Sequence, residues 1–368
     1  MFKNISAFKT GPGLFRLLLA FMVVVSHTIL LFPFGHYAVY VFFMLSGYWI
    51  FKMYEEKYSN YQNAYWTYIR SRLMRLVFVY WFVLALAIIT FFVTNALLHA
   101  DSWQRFSLAE ILIKNIVILG LNTSPIIFLT PAWSLDVEVQ FYLLAPMLVL
   151  LRRYINIPAQ FILSLVVLGI ILDCVPVENR VSHLLLYLPF FLCGALLYYS
   201  GKVFSSRSSQ LFLLAAVAVV AINLLIPGLR TGFLKKDLPL FGLHQYQDQV
   251  NVVLALLTIP FISRNVTQKV TDSNDGMWSS MSFVLYLVHW PVLKMYTTAV
   301  TLNSGQHKAI YLALFYIISL VVAYLITTKV DRRFEGIRKK WLSKQEKKTS
   351  LAPAISTQAF PSIRLQTK

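Results

Sequence analysis

Two carboxylates stand inside a strongly apolar stretch of this chain, the sequence PAWSLDVEVQFYLLAP of residues 131–146. They are Asp136 and Glu138. A charged side chain in a bilayer costs at least ~2.5 kcal/mol, so an ionisable residue inside a membrane usually marks a functional site. The two positions lie about 200° apart around a helix and therefore face different ways. We expect Asp136 to cap the helix start, where acidic groups are favoured, and Glu138 to carry chemistry.

A histidine in the first apolar stretch is the predicted partner of Glu138. Arg16 and His27 have ten residues between them, which places both on one helix face, about 16 Å apart along the axis. His27 and Glu138 then come to similar depth, and an imidazole beside a carboxylate is a general base that can remove a hydroxyl proton. Two other interpretations stay open. The pair could be a proton relay in a transporter, or Arg16 an interfacial anchor and His27 a packed histidine.

Arginines crowd the start of the third apolar stretch, in the sequence YIRSRLMRLVFVYW of residues 68–81. Guanidinium groups bind phosphates through paired hydrogen bonds, so one interpretation of Arg70, Arg72 and Arg75 is a phosphate clamp. The other interpretation is the ordinary excess of positive charge on the cytoplasmic side of membrane proteins.

Further side chains in the apolar stretches are candidates for contact with a substrate. They are Ser46, Trp133, Tyr142 and His289. Ser46 precedes Gly47, and two such small residues let a helix or an extended ligand come close. A structural role is open for each of them: helix packing for Ser46 and the two aromatic residues, and a buried hydrogen bond for His289.

The elements that must position these residues are membrane helices. The 368-residue chain is 58% hydrophobic and only 13% charged, whereas soluble domains carry about 25% charged residues. We predict an all-α fold, a polytopic integral membrane helical bundle of about ten transmembrane helices. The predicted spans are 14–33, 38–54, 75–96, 133–152, 157–175, 182–200, 209–227, 248–263, 279–299 and 309–329. Residues 109–121 are apolar but too short, and are expected to lie at the interface or to be re-entrant.

The distribution of positive charge predicts the orientation of this bundle. About three quarters of the 33 lysines and arginines fall in segments that are cytoplasmic if the N-terminus is inside, so both termini are predicted to be cytoplasmic. We divide the chain into a transmembrane domain, 1–336, and a basic, disordered cytoplasmic tail, 337–368, which should lie against membrane lipids. The basic residues flank spans instead of covering a folded face, so nucleic acid is not an expected partner. With two cysteines in the chain, we expect no metal site.

Taken together, these motifs resemble the membrane-bound acyltransferase family 3, which includes bacterial O-acetyltransferases of surface polysaccharides. They run in the family's order from residue 16 to residue 291: Arg16 and His27 at the family's spacing, FFMLSGYWI, RLMRL with Tyr80, WSLDVEVQFYLLAP and LYLVHWP. The chain departs from the family pattern at Ala38 and Tyr40, and at Phe78, where the family often has proline.

The resemblance implies an enzyme of the bacterial inner membrane that moves an acyl group, usually acetyl, to a hydroxyl of a cell-surface polysaccharide or a lipid-linked glycan. Acetyl-CoA from the cytoplasm would be the donor substrate, with no permanently bound cofactor. His27 would be the general base or the acyl-accepting residue, and Glu138 would orient it or share its proton. Arg16, Arg72 and Arg75 would hold the donor. The resemblance is also compatible with partner proteins that assemble the polysaccharide. The membrane lipids, the acyl-CoA donor and the glycan acceptor are the other expected partners.

Two other functions stay open at this stage. A proton-coupled transporter or exporter of a glycan or its precursor would use His27 and Glu138 as proton carriers. A non-enzymatic membrane scaffold would leave the intramembrane charges unexplained.

Overall fold

The computed structural model of this chain is helical almost throughout. It describes residues 11–29, 32–100, 102–174, 184–234, 239–240, 243–244, 246–268 and 273–351. The helices are α1 Pro12–Ser26, α2 Gly35–Glu56, α3 Ala64–Leu97, α4 Leu108–Val117, α5 Trp133–Leu151, α6 Ile157–Cys174, α7 Leu184–Ser200, α8 Ser206–Leu225, α9 Pro227–Leu234, α10 Gln247–Leu257, α11 Ile259–Thr267, α12 Asp275–Leu302, α13 Lys308–Ile326 and α14 Arg332–Leu351. A short antiparallel ribbon pairs β1 Pro239–Leu240 with β2 Leu243–His244.

A helix lies at each of the ten predicted spans, which confirms the all-helical fold. Within the described residues, four helices are long and apolar enough to cross a bilayer on their own: Ala64–Leu97, Thr130–Leu151, Ser206–Leu225 and Lys308–Glu346. The bent pair α10 and α11 would make a fifth. The count of ten and the orientation of the termini therefore stay predictions. Residues 30, 31, 175, 182 and 183, at the ends of predicted spans, lie outside the described residues.

The predicted span 248–263 is broken in the structure. Helices α10 and α11 meet at Thr258 with an angle of 46°. Pro260, in the first turn of α11, has no N–H to continue the hydrogen bonds of α10, and its ring favours the start of a new helix. The hydroxyl of Thr258, between the two helices, bonds the carbonyl of Ala255 at 2.8 Å. A single proline thus divides an otherwise continuous apolar run.

Helix α3 begins well before the predicted span 75–96. Its 34 residues are about 51 Å long, whereas the apolar core of a bilayer is about 30 Å thick. The helix therefore extends beyond any membrane it crosses. Arg70 and Arg72 lie on its early turns, so they are held by a rigid element and not by a loop.

The C-terminal segment differs from the predicted disordered tail. Residues 332–351 form helix α14, which continues from α13 through a short π-helical turn, Thr327–Asp331. The prediction of disorder is wrong for residues 337–351. Residues 352–368 lie outside the described residues.

Packing against α3 explains why this charged segment is helical. Leu342 is buried, and the ring of Trp341 lies 5.0 Å from the guanidinium of Arg70. Phe334 stacks on Phe78 of α3 with ring centroids 4.4 Å apart. Most helical stability in proteins comes from such tertiary contacts, which the local composition does not reveal.

Helices α2 and α7 pack with their backbones in contact. A Cβ atom on Gly47 would lie 2.0 Å from the carbonyl oxygen of Phe191, and one on Gly194 would lie 1.9 Å from that of Met44. Only glycine tolerates such an approach. The small pair in α2 therefore serves helix packing through Gly47, while Ser46, one residue before it, borders the cavity described next.

Candidate active site

A cavity of about 460 Å³ lies between α1, α2, α3, α5 and α12, with α14 at one edge. Aromatic residues of α2 and α12 form much of its wall. Among the described residues, its ionisable lining groups, tyrosines apart, are Arg16, Arg72, Arg75, Glu138, Asp275 and Arg338. Four guanidinium groups against two carboxylates give the lining a net positive charge. A mainly apolar cavity with a few convergent polar groups is the usual form of a small-molecule site, and this one suits an anionic ligand.

Glu138 reaches the cavity from the second turn of α5. Its Oε1 atom accepts a hydrogen bond from the hydroxyl of Ser46 at 2.7 Å and another from the hydroxyl of Tyr142 at 2.8 Å. Tyr142 lies one helical turn further along α5, whereas Ser46 comes from α2. The two donors fix the orientation of a half-buried carboxylate.

Arg72 is the most buried of the cavity arginines, with only 9% of its surface exposed. Within the described structure its Nε and Nη2 atoms have no hydrogen-bond acceptor, and its guanidinium lies 6.0 Å from the ring of Tyr58 and 5.8 Å from that of Tyr68. A buried charged donor without a hydrogen-bond acceptor lowers the free energy of unfolding. An anionic ligand in the cavity would supply the acceptors.

The first turn of α1 is fixed to the first turn of α12. The backbone N–H of Gly13 donates to the carboxylate of Asp275 at 2.8 Å, and a Cβ on Gly13 would lie 1.9 Å from the Asp275 carbonyl oxygen. This close contact brings Arg16 beside Ser279, whose hydroxyl accepts from Nη1 at 3.3 Å. Arg16 is also near enough to Glu138 for an electrostatic interaction.

Arg338 enters the cavity edge from α14. It donates two hydrogen bonds to Glu335, at 2.8 and 2.6 Å, and one to Ser71 of α3, at 2.8 Å. Hydrogen bonding to Glu335 raises the pKa of Arg338. Burial raises the pKa of Glu335, but the bonds and charge of Arg338, together with the charges of Arg75 and Lys339, leave that pKa below its ordinary value. The pair is therefore ionised at neutral pH.

His27 ends α1 and its side chain is exposed. Its ring stacks on that of His289 at 5.4 Å and meets the ring of Trp290 edge-on at 5.4 Å. His289 is fully buried, and its Nδ1 lies 3.2 Å from the carbonyl oxygen of Leu285. Because a carbonyl can only accept, Nδ1 carries the proton, which leaves Nε2 as an acceptor with no partner in the described residues.

The structure brings six of the nine predicted site residues to one cavity: Arg16, Ser46, Arg72, Arg75, Glu138 and Tyr142. Among the described residues that line it, His27, Trp133 and His289 do not occur. Trp133 instead packs on Tyr187, with ring centroids 5.3 Å apart. The contacts described above link Glu138 to Ser46 and Tyr142, and His27 to the ring of His289. A direct His27–Glu138 pair therefore stays a prediction.

Asp136 has a structural role that differs from the predicted cap. Its buried carboxylate accepts from the backbone N–H of Gly120 at 3.1 Å, from Asn122 at 3.3 Å and from Gln140 at 2.9 Å. Two of these donors belong to the loop before α5, so the carboxylate fixes that loop against the helix. Asp136 does lie in the first turn of α5, but the helix begins after Ala132 and has no side-chain cap hydrogen bond, so the predicted cap is not formed.

Sequence reasoning did not identify several residues of the cavity wall. They are Tyr58, Asp275, Ser279, Tyr286 and Arg338. Only Tyr286 stands in a recognised motif, SFVLYLVHWPV. Its hydroxyl is 2.8 Å from that of Ser134, which ties α12 to the start of α5. In the described part of the chain, no group of three histidine, cysteine or acidic side chains is placed to hold a metal ion.

Comparison with known proteins identifies the family. A family model described as "Acyltransferase domain" matches residues 10–328, which is most of the chain. The chain belongs to the membrane-bound acyltransferase family 3. This confirms the family that the motifs resemble, and together with its apolar helices it makes the protein a membrane acyltransferase.

One relative of this acyltransferase is a protein of Aquifex aeolicus (strain VF5), described as "Uncharacterized protein". It is 26% identical over 225 residues, which are 61% of this chain and 95% of the relative. No solved structure matches the acyltransferase.

Proposed function

We propose that this acyltransferase moves an acyl group, acetyl in the first instance, from cytoplasmic acyl-CoA to a hydroxyl of a cell-surface polysaccharide or lipid-linked glycan, and that it resides in a bacterial inner membrane. The observation that carries the proposal is the cavity that gathers Arg16, Arg72 and Arg75 with Glu138 in a chain of this family. Acyl-CoA carries several phosphates at one end of a long, mainly neutral arm. The arginines complement those phosphates in charge and hydrogen bonding.

The direction of α1 suits the length of such a donor. Arg16 lies near the start of this helix and His27 ends it, about 16 Å further along the axis. On this proposal, Arg72 and Arg75 hold the phosphates, Arg16 lies along the arm, and the thioester extends toward His27. Orienting the two reactants in this way lowers the barrier because the entropy cost is met during binding.

The residues of this chain then assist one acyl transfer. His27 takes the proton of the acceptor hydroxyl as that oxygen attacks the thioester carbonyl. The carbon–sulfur bond breaks, and the coenzyme A thiolate leaves and takes the proton back from His27. His289 supports the His27 ring by stacking. Glu138, oriented by Ser46 and Tyr142, supplies negative charge that favours the protonated imidazole. Ser46 and Tyr142 thus act through Glu138.

The test is turnover by purified protein in liposomes with radiolabelled acetyl-CoA and glycan acceptor. Wild type should release free coenzyme A and label the glycan, whereas His27→Ala should lose transfer while remaining folded and inserted. The loss should be about 10²-fold or more, as expected for removal of a general base.

Two outcomes would count against the proposal. Wild-type transfer by His27→Ala would remove that residue from the base role. Glycan flux across vesicles that needs no thioester, with no release of coenzyme A, would instead identify a transporter.

A further inference from the structure

Helix α14 lies outside the residues that place this chain in its family. The family match ends at residue 328, and α14 begins at Arg332. Yet Arg338 of this helix lines the same cavity as Arg72 and Arg75. The role of α14 must therefore be argued from its own contacts.

Arg338 is held in place by side chains on two other elements. Its Nη1 donates to Ser71 of α3, and the Ser71 hydroxyl in turn lies 2.8 Å from that of Tyr58. The side chain is only 15% exposed. Such a fixed guanidinium has lost its conformational freedom before any ligand arrives, which favours binding.

The same network connects Arg338 to Arg72 through Tyr58. The ring of Tyr58 contacts the guanidinium of Arg72, while its hydroxyl joins the hydrogen bonds of Arg338. Glu335 and Ser71 engage three of the five N–H groups of Arg338, and Tyr58 adds a further hydrogen bond. Among the described residues, at least one N–H of Arg338 therefore remains for a ligand. Arg72 adds two buried nitrogens, Nε and Nη2, that have no acceptor among the described residues. The two arginines on one cavity wall match the several acceptor oxygens of a phosphate.

We propose that α14 completes the donor site and that Arg338 binds a phosphate of the acyl-CoA donor, with Glu335 limiting the positive charge that Arg338 presents. This inference rests on the proposed donor. It makes the C-terminal helix α14 part of the binding site. It also assigns opposite effects on donor affinity to the two members of one ion pair: Arg338 strengthens binding and Glu335 weakens it.

The experiment measures coenzyme A binding to the purified full-length chain in detergent micelles by titration calorimetry. Arg338→Gln should weaken binding roughly tenfold or more, the effect of losing a charge-assisted hydrogen bond. Glu335→Gln should tighten binding several-fold, because the guanidinium stays in place while its neutralising charge is removed. The matched control is Arg333→Gln, an exposed arginine of the same helix, which should change affinity less than twofold.

A purely structural ion pair predicts that both variants weaken binding or that neither changes it, and either result would overturn the proposal. If Arg338→Gln fails to fold, Glu335→Gln decides alone: tighter binding supports the proposal and any other result rejects it. Wild type that binds no coenzyme A would reject the proposed donor as well. Arg338-dependent competition by phosphatidylglycerol would assign the residue to lipid phosphate and overturn its donor role.

Discussion

At the scale of single residues, the two carboxylates of α5 separate into different roles. Glu138 lines the cavity with its carboxylate held by Ser46 and Tyr142, while Asp136 is buried and bonded to the loop before the helix. Their two-residue spacing already indicated different faces. Which of the two faces carries the chemistry depends on what surrounds each side chain.

Glu138→Gln should lose nearly as much transfer activity as His27→Ala, about 10²-fold or more. The amide keeps the shape and still accepts hydrogen bonds, but it lacks the negative charge. Steady-state acetyl transfer with purified protein measures the effect. Asp136→Asn is the matched control, and it should lower the melting temperature while the folded fraction keeps its activity. Normal turnover by Glu138→Gln would remove the carboxylate from the mechanism.

The cavity arginines should act on donor affinity more than on the chemical step. Combining Arg72→Ala with Arg75→Ala removes two phosphate-binding groups, each worth about 1.5–3 kcal/mol when bonded to a charged partner. We expect the KM for acetyl-CoA to rise more than tenfold with a smaller fall in kcat. Arg333→Ala is the control, since Arg333 is exposed. An unchanged KM in the double variant would contradict phosphate binding. The two arginines would then contribute only to the excess of positive charge on the cytoplasmic side.

At the scale of elements, helices in direct backbone contact hold the cavity walls in place. Helix α2 carries Ser46 on one side and Gly47 against α7 on another, so the position of Ser46 beside Glu138 depends on how closely α2 approaches α7. Helix α1 depends in the same way on Gly13 and Asp275. The side chains of the site are positioned by these contacts.

Gly47→Ala should destabilise the protein by about 1–3 kcal/mol, because the added methyl overlaps the backbone of Phe191 and must push α7 away. Thermal unfolding in detergent measures the loss. Gly169→Ala in α6 is the control, since a Cβ there meets no atom within 4 Å, and the change should be neutral or stabilising by up to ~1 kcal/mol. Equal melting temperatures for the two variants would contradict the close α2–α7 contact.

At the scale of the whole molecule, the cavity brings together the early turns of α1 and α12 with helix α14. Arg16 near the start of α1, Asp275 at the start of α12 and Arg338 in α14 all line it. The charge distribution predicts that these segments face the cytoplasm. On that prediction, the proposed cytoplasmic donor enters beside Arg16, while His27 ends α1.

Cysteine labelling in intact cells tests this orientation. In a chain without Cys174 and Cys193, Gln306→Cys in the exposed loop between α12 and α13 should react with a membrane-impermeant maleimide. Lys344→Cys in α14 should react only after the membrane is permeabilised, because the two positions flank the last predicted span. Reaction of both from outside would contradict the cytoplasmic C-terminus.

The sequence by itself determined the class of protein and much of the site. Composition and the length of the apolar runs require a helical membrane protein, because only helices satisfy the backbone inside a bilayer over such lengths. The family motifs pointed to Arg16, Arg72, Arg75 and Glu138, since charges that are costly in an apolar setting persist where they are used.

Only the tertiary structure decided what these residues contact. Asp136 bonds a loop, Gly47 serves packing, and Arg338 joins the cavity from a segment whose composition predicted disorder. Each outcome depends on a neighbour that is distant in the chain or on another element, such as Ser71 for Arg338. The local sequence pattern indicates secondary-structure propensity and the periodicity of apolar residues. Contacts between distant segments arise from the free energy of the complete packed bundle, and no single stretch of sequence contains that information.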